Sequence, residues 1–218
     1  MCLVFQDRAD AGRQLARALA VLKGAPDVVI LAIPCGGVPV AYEIARALGA
    51  PLDVCLAHKI GAPGNPEFAI GSVDALGNLV LDTETIARLS ISSGYISEAA
   101  ERQQQALARN RERYRGNLPA VELAGKTVVV VDDGLATGAT ALAALKSLGS
   151  AGAAKRLFAA PVASAEAITR VSPEAEDGVV LYAPSHFGAV GEFYEDFGQI
   201  GDEEVLELLR LARNDFSP

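Results

Sequence analysis

Between Val128 and Thr140 the chain reads VVVVDDGLATGAT. A run of β-branched residues leads into two adjacent carboxylates, Asp132 and Asp133, and then into a loop of small residues with hydroxyls at Thr137 and Thr140. Such a run forms a strand, so the carboxylates fall at a strand end, and open α/β sheets hold ligands beyond the carboxyl ends of their strands. Side chains alternate along a strand, so the two acids must diverge. One can face a ligand while the other turns to a metal, water or a neighbouring backbone. Residues 134–140 then pass from strand to helix. The first N–H groups of a helix have no intrahelical acceptor and carry the positive end of its dipole. Gly134 and Gly138 permit close approach, and the threonines add hydroxyl donors. That is a phosphate cradle, though not a Walker loop, because the closing GKT or GKS is absent. Carboxylates accept hydrogen bonds from vicinal hydroxyls. A ligand with one phosphate and several hydroxyls, such as ribose 5-phosphate, suits both halves. The plainer alternative is an acidic strand end with Thr140 capping a helix.

The elements that must position these groups are legible as a pattern. VVILAI (28–33) is apolar without alternation, as in a strand covered on both faces. The segment before it has helical spacing at Ala11, Leu15, Ala18, Leu19 and Leu22, closed by Gly24 and Pro26. PCGGVPVA (34–41) leads into a second helix ending at Gly49, and DVCLAHK (53–59) reads as one strand, with Lys59 at its end. Helix and strand alternate, which implies a parallel sheet with crossover helices. Residues 60–116 interrupt that order: EFAIGSV and NLVLD predict a hairpin around Ala75 to Asn78, and a long charged helix ends at Gly116. They read as an inserted, partly mobile flap rather than a separate domain. Alternation resumes with KTVVVVDD and continues to a C-terminal amphipathic helix with Asp202 as its expected cap.

The chain has 218 residues, half of them apolar, and a formal charge of −8. That balance suits a compact α/β protein and argues against nucleic acid as partner, which needs a basic face. The cysteines, Cys2, Cys35 and Cys55, have no metal-ligand spacing. Their sparse, odd count points to reduced thiols and a cytoplasmic home. There is neither a signal-peptide pattern nor an apolar run long enough for a membrane helix. With histidines only at 58 and 186, a His-based metal site is not expected, and His58 reads as structural.

VVVVDDGLATGAT resembles the phosphoribosyl diphosphate (PRPP) signature of type I phosphoribosyltransferases: apolar strand, acidic pair, then a T-G-x-T loop. The resemblance covers most of the chain. The insert and the tail PSHFGAVGEFYEDFGQIGDEEVLELL resemble a subgroup of predicted phosphoribosyltransferases without a named acceptor. It implies one α/β domain over 1–218: a central, mostly parallel sheet flanked by helices, with an inserted hairpin and helix flap (60–116) and a small hood (184–218). It also implies Mg²⁺-dependent transfer of a phosphoribosyl group from PRPP to a nitrogenous acceptor in nucleotide metabolism. On this reading Asp132 and Asp133 bind ribose hydroxyls and the Mg²⁺ that arrives with PRPP. Ala136, Thr137, Gly138, Ala139 and Thr140 surround the 5′-phosphate. Cys35, Gly36, Gly37 and Lys59 hold the diphosphate, with a strained, often cis, peptide near Cys35.

One position departs from the 6-oxopurine enzymes, which place an aspartate before T-G. Here it is Ala136, closer to the adenine-type loop, so proton transfer must come from elsewhere, and Glu67 is a candidate. Phe187, Phe193, Tyr194 and Phe197 either stack on a heterocycle or form core beneath the terminal helix. The arginines of ARNRERYR are either a solvated face or diphosphate contacts. Homo-oligomerisation is compatible with all of this. A PRPP- or nucleotide-sensing regulator without turnover is the rival reading, and a phosphate-binding α/β protein of other chemistry is the third.

Overall fold

The computed structural model describes residues 5–74 and 77–216, with only the backbone of Glu67 and Phe216. Cys2 and the predicted turn residues Ala75 and Leu76 lie outside the described residues. Helix α1 (Arg8–Ala18) starts at Asp7, whose carboxylate accepts the Asp10 N–H at 2.6 Å. It is followed by strand β1 (Val28–Ala32), buried at every position, and helix α2 (Gly37–Leu48), closed by Gly49 at φ +69°. The two helices touch through Gly12, where a Cβ would stand 2.6 Å from Val40 O.

Strand β2 (Leu52–Val54) runs parallel to β1, with Ala32 opposite Val54. The stretch DVCLAHK is not one strand. Pairing with β1 ends where the Cys55 N–H donates to Ala32 O. From Ala57 the backbone enters a different, antiparallel sheet made of β3 (Ala57–Ala62), β4 (Asn65–Asp74) and β5 (Leu79–Leu81). Lys59 therefore sits within β3 opposite Ser72, not at the end of a parallel strand. The insert continues through α3 (Thr83–Arg88), which the sequence pattern did not predict, and α4 (Ser93–Arg115), capped by Ser92 and ended at Gly116.

Strand β6 (Thr127–Val131), helix α5 (Ala139–Ser150), strand β7 (Lys155–Val162), helix α6 (Ala165–Val171) and strand β8 (Asp177–Tyr182) complete the main sheet, all of whose strands are parallel, in the order β2-β1-β6-β7-β8. Helix α7 (Asp202–Phe216) follows. Asp202 is inside its first turn, and its carboxylate serves Arg113 and Tyr114 rather than a cap.

The apolar side chains of the insert are continuous with the main core. Ile60, Ile70, Val73, Ala99 and Leu107 belong to the same buried cluster as Ile30, Val129 and Leu209. A buried carboxylate ties the two ends of the insert. Asp53 on β2 receives Arg115 Nη2 at 2.8 Å and the Val121 N–H at 3.2 Å.

Candidate functional site

At the carboxyl edge of the main sheet, the turn after β1 lies on the acidic end of β6. The Ile33 N–H donates to Val131 O at 2.8 Å, and the Pro34–Cys35 peptide bond is cis. Gly36 has an ordinary φ of −61°, so turn conformation does not demand glycine there. Space does: a Cβ on Gly36 would stand 2.1 Å from Asp133 Oδ2, and one on Gly37 2.6 Å from Val131 O. The two loops approach so closely that only hydrogen atoms fit between them.

The carboxylates diverge, as alternation requires. Asp133 Oδ2 accepts from Arg8 Nε at 2.7 Å, and both side chains are largely buried. Asp132 folds back so that Oδ1 accepts the Asp133 N–H at 2.9 Å. Burial, and next the neighbouring Asp133 charge, raise the Asp132 pKa well above the usual carboxylate range.

The loop after Asp133 has a defined polarity. Leu135 O accepts the Ser164 N–H (3.0 Å), Ala136 O accepts Ser164 Oγ (2.6 Å), and Thr137 O accepts Arg170 Nη1 (2.8 Å). Three successive carbonyls are thus tied to the β7–α6 side. In a planar trans peptide the N–H opposes the C=O, so the amides of Ala136, Thr137 and Gly138 face the other way. Gly138 takes φ +69°, and α5 begins. Ala139 N–H reaches Thr137 Oγ1 at 3.4 Å, while Thr140 and Ala141 open the helix with no intrahelical acceptor. A row of amides at a helix N-terminus is an anion site.

The hood is built from both chain ends. The Phe5 N–H donates to Phe193 O and the Glu195 N–H to Phe5 O, each at 2.8 Å. Tyr194 OH donates to Asp133 O at 2.6 Å, and Val190 lies over Gly134. Phe193 and Tyr194 are buried with Phe5, Ala11 and Val162, and Phe187 packs on them. They form a separate core at α1 and the end of β7, not beneath α7. Phe197 is more exposed, and the Arg8 guanidinium lies 3.8 Å from its ring centre. Arg8 was absent from the sequence-based site. Its signal was positional: a charged residue in register with the buried Ala11 and Leu15 of α1.

Cys35 Sγ lies 3.5 Å from Tyr114 OH. Cys35 and Thr140 line a cavity of about 270 Å³ together with His58. Burial lowers the His58 pKa, and its Nδ1 pairs with Gln103 Oε1 at 2.9 Å. Burial pushes the Cys55 thiol up to about 12, which leaves it inert. Lys59 neighbours His58 along β3 and points to the opposite face. Glu67 belongs to β4 by its backbone, and its side chain lies outside the described residues.

No group of three or more His, Cys, Asp or Glu among the described residues could hold a metal ion. Asp132 offers one carboxylate beside the cradle, and Asp133 is engaged by Arg8. That donor set fits a hard cation bringing most of its oxygen ligands with it, as Mg²⁺ does with phosphates, rather than a resident ion.

The parallel sheet thus carries an amide cradle, two acids and a glycine loop together at one edge, where open α/β sheets hold their ligands. The chain belongs to the phosphoribosyl transferase domain family, whose model matches residues 5–196. It is 41% identical over 214 residues to the "Putative phosphoribosyl transferase" of two Mycobacterium tuberculosis strains, CDC 1551 / Oshkosh and ATCC 25618 / H37Rv. The match covers 98% of this chain and 48% of theirs, so the chain spans about half the length of these curated relatives. The crystal structure of TT1426 from Thermus thermophilus matches with a TM-score of 0.85 and 44% identity, over 94% of this chain and 97% of that one. Among the described residues no helix is long and apolar enough to cross a membrane.

Proposed function

We propose that the protein transfers the phosphoribosyl group of PRPP to a nitrogenous acceptor and releases diphosphate. The observation that carries this reading is the set of amides at Ala136, Thr137 and Gly138, facing away from the tied carbonyls, followed by the open helix-start amides of Thr140 and Ala141. A 5′-phosphate on those amides sets the ribose hydroxyls near Asp132 and Asp133, and the diphosphate near Cys35, Gly36 and Gly37, while Lys59, on the opposite face of β3 from His58, is not placed beside it. In the reaction the bond from C1′ to the diphosphate oxygen breaks, and its electron pair leaves on that oxygen. The acceptor nitrogen donates its lone pair to C1′ and sheds a proton.

Asp132, with Asp133, would hold the Mg²⁺ that accompanies PRPP; when bound, the ion neutralises charge on the leaving group. Asp132 keeps the ribose oriented. The insert excludes water that would otherwise hydrolyse PRPP. Glu67 is the proton acceptor in this scheme, and Glu67→Gln turning over at the wild-type rate would remove it from that role. A cytoplasmic location belongs to the same proposal.

One observation favours the rival reading, a PRPP or nucleotide sensor without turnover: Asp133 already has a guanidinium partner in Arg8. Incubation with PRPP, Mg²⁺ and a panel of nucleobases and other nitrogen acceptors, with diphosphate release as readout, separates the two. Release with one acceptor supports transfer. PRPP binding with no release across the panel supports sensing, and absence of PRPP binding contradicts both.

A further inference from the structure

The cavity beside the cis peptide has two walls of different origin. One is the site itself: Cys35 of the glycine loop and Thr140 of the cradle. The other is the last turn of α4, with Arg113 and Tyr114, backed by Asp202 of α7. Tyr114 is 4% exposed. Its hydroxyl donates to Asp202 Oδ1 at 2.8 Å and, having given up its proton there, accepts from the Cys35 thiol at 3.5 Å. Arg113 Nη1 donates to Asp202 Oδ2 at 2.6 Å. Both carboxylate oxygens are therefore spent on residues of α4. His58 also lines the cavity, and its lowered pKa keeps it neutral near pH 7. Arg113 is the one cation on the lining among the described residues. Half of its side-chain surface is exposed, so it can reach a ligand.

We infer that Arg113 binds the diphosphate of PRPP from the side opposite the glycine loop, and that Tyr114 and Asp202 position it. This rests on the phosphoribosyl-transfer reading of the same site. The chemistry asks for such a group: the C1′–O bond breaks with its electron pair on the diphosphate, and a guanidinium beside the departing oxygens offsets the growing charge. Asp202 keeps the cation aimed at the cavity before ligand arrives. Tyr114 locks the helix turn to Cys35, so that the loop amides and the guanidinium face one another across the gap. Neighbouring arginines lack this placement: Arg115 is committed to Asp53, Arg111 lines a different cavity, and Arg109, though exposed like Arg113, is not on this lining.

Calorimetric titration with three probes in the presence of Mg²⁺ tests this: inorganic diphosphate, ribose 5-phosphate and PRPP. Arg113→Gln is expected to weaken diphosphate and PRPP binding by about tenfold and to flatten their salt dependence, leaving ribose 5-phosphate unchanged. Arg113→Lys keeps the charge and should recover part of the loss. Tyr114→Phe keeps the buried ring and should weaken diphosphate and PRPP by about threefold, leaving ribose 5-phosphate and the far-UV circular dichroism of the fold unchanged. Arg109→Gln serves as control and changes none of the three. The inference is overturned if Arg113→Gln binds diphosphate like the wild type, or loses ribose 5-phosphate in parallel. Wild-type protein that binds ribose 5-phosphate but not diphosphate also overturns it while leaving the cradle standing. Wild-type protein that binds none of the probes sinks the transfer reading and this inference with it.

Discussion

Asp132 holds its proton more tightly in the folded chain than in the unfolded one, because it is buried beside Asp133. Between the unfolded carboxylate value and the raised folded one, the native state binds more protons, so stability falls as pH rises through that window. Asp132→Asn removes the penalty and keeps the Oδ1 acceptor for the Asp133 N–H. We expect its melting temperature to exceed the wild type by about 3 °C at pH 7, with the gain vanishing near pH 3, and PRPP affinity to be lost. Thermal denaturation across pH checks the sign: a destabilised Asn variant at pH 7 contradicts it. Gly36→Ala has no room for its methyl group against Asp133 Oδ2. It should cost about 1–3 kcal/mol of stability and displace the acidic pair, which calorimetry and PRPP titration would both register. Such local features were legible in the sequence, because an acidic pair, a glycine pair and a threonine loop are each contiguous. Arg8 was hidden, since its partner lies 125 positions away, and only its place on the buried stripe of α1 betrayed it.

Strands and helices carry a different lesson. DVCLAHK reads as one run because composition does not change between Asp53 and Lys59, yet hydrogen bonding passes from β1 to β4 within it. Periodicity cannot register a change of partner when side chains stay apolar on both sides of the break. The short α3 escaped for lack of length. The long α4 was clear from its start and from Gly116, but nothing local announced that its last residues would grip two distant carboxylates, Arg113 and Tyr114 on Asp202 and Arg115 on Asp53. Arg115 is the strongest of these grips. Asp53 is 2% exposed, and removing its charge leaves a guanidinium facing carbonyls alone. Asp53→Asn should cost about 3 kcal/mol and free the returning segment. Hydrogen exchange would then quicken across residues 116–124 by far more than in β6. Equal acceleration in both places would mean that Asp53 serves global stability and not the insert.

Over the whole molecule, a net charge of −8 surrounds the site proposed for an anion. On that proposal the cradle would work by oriented amides and a few cations at its rim, not by a basic surface. Arg8 joins the two chain ends across this rim: it pairs with Asp133, donates to Gly198 O at 2.8 Å and covers Phe197. Arg8→Gln leaves a largely buried carboxylate without its counter-ion. It should lower stability by about 3 kcal/mol and loosen residues 193–198, which fluorescence of Tyr194 can follow. That architecture was legible as a class, from alternating elements and a resembling signature, while the closure of the hood through Phe5 depended on pairing between the two ends of the chain. The most direct measurement is a crystal structure with PRPP and Mg²⁺. The account predicts the 5′-phosphate on the amides of residues 136–141, the ribose hydroxyls on Asp132 or Asp133, and the diphosphate between the Cys35–Gly37 turn and Arg113. PRPP bound elsewhere, or this edge closed to it by Arg8 and the hood at saturating ligand, would contradict it.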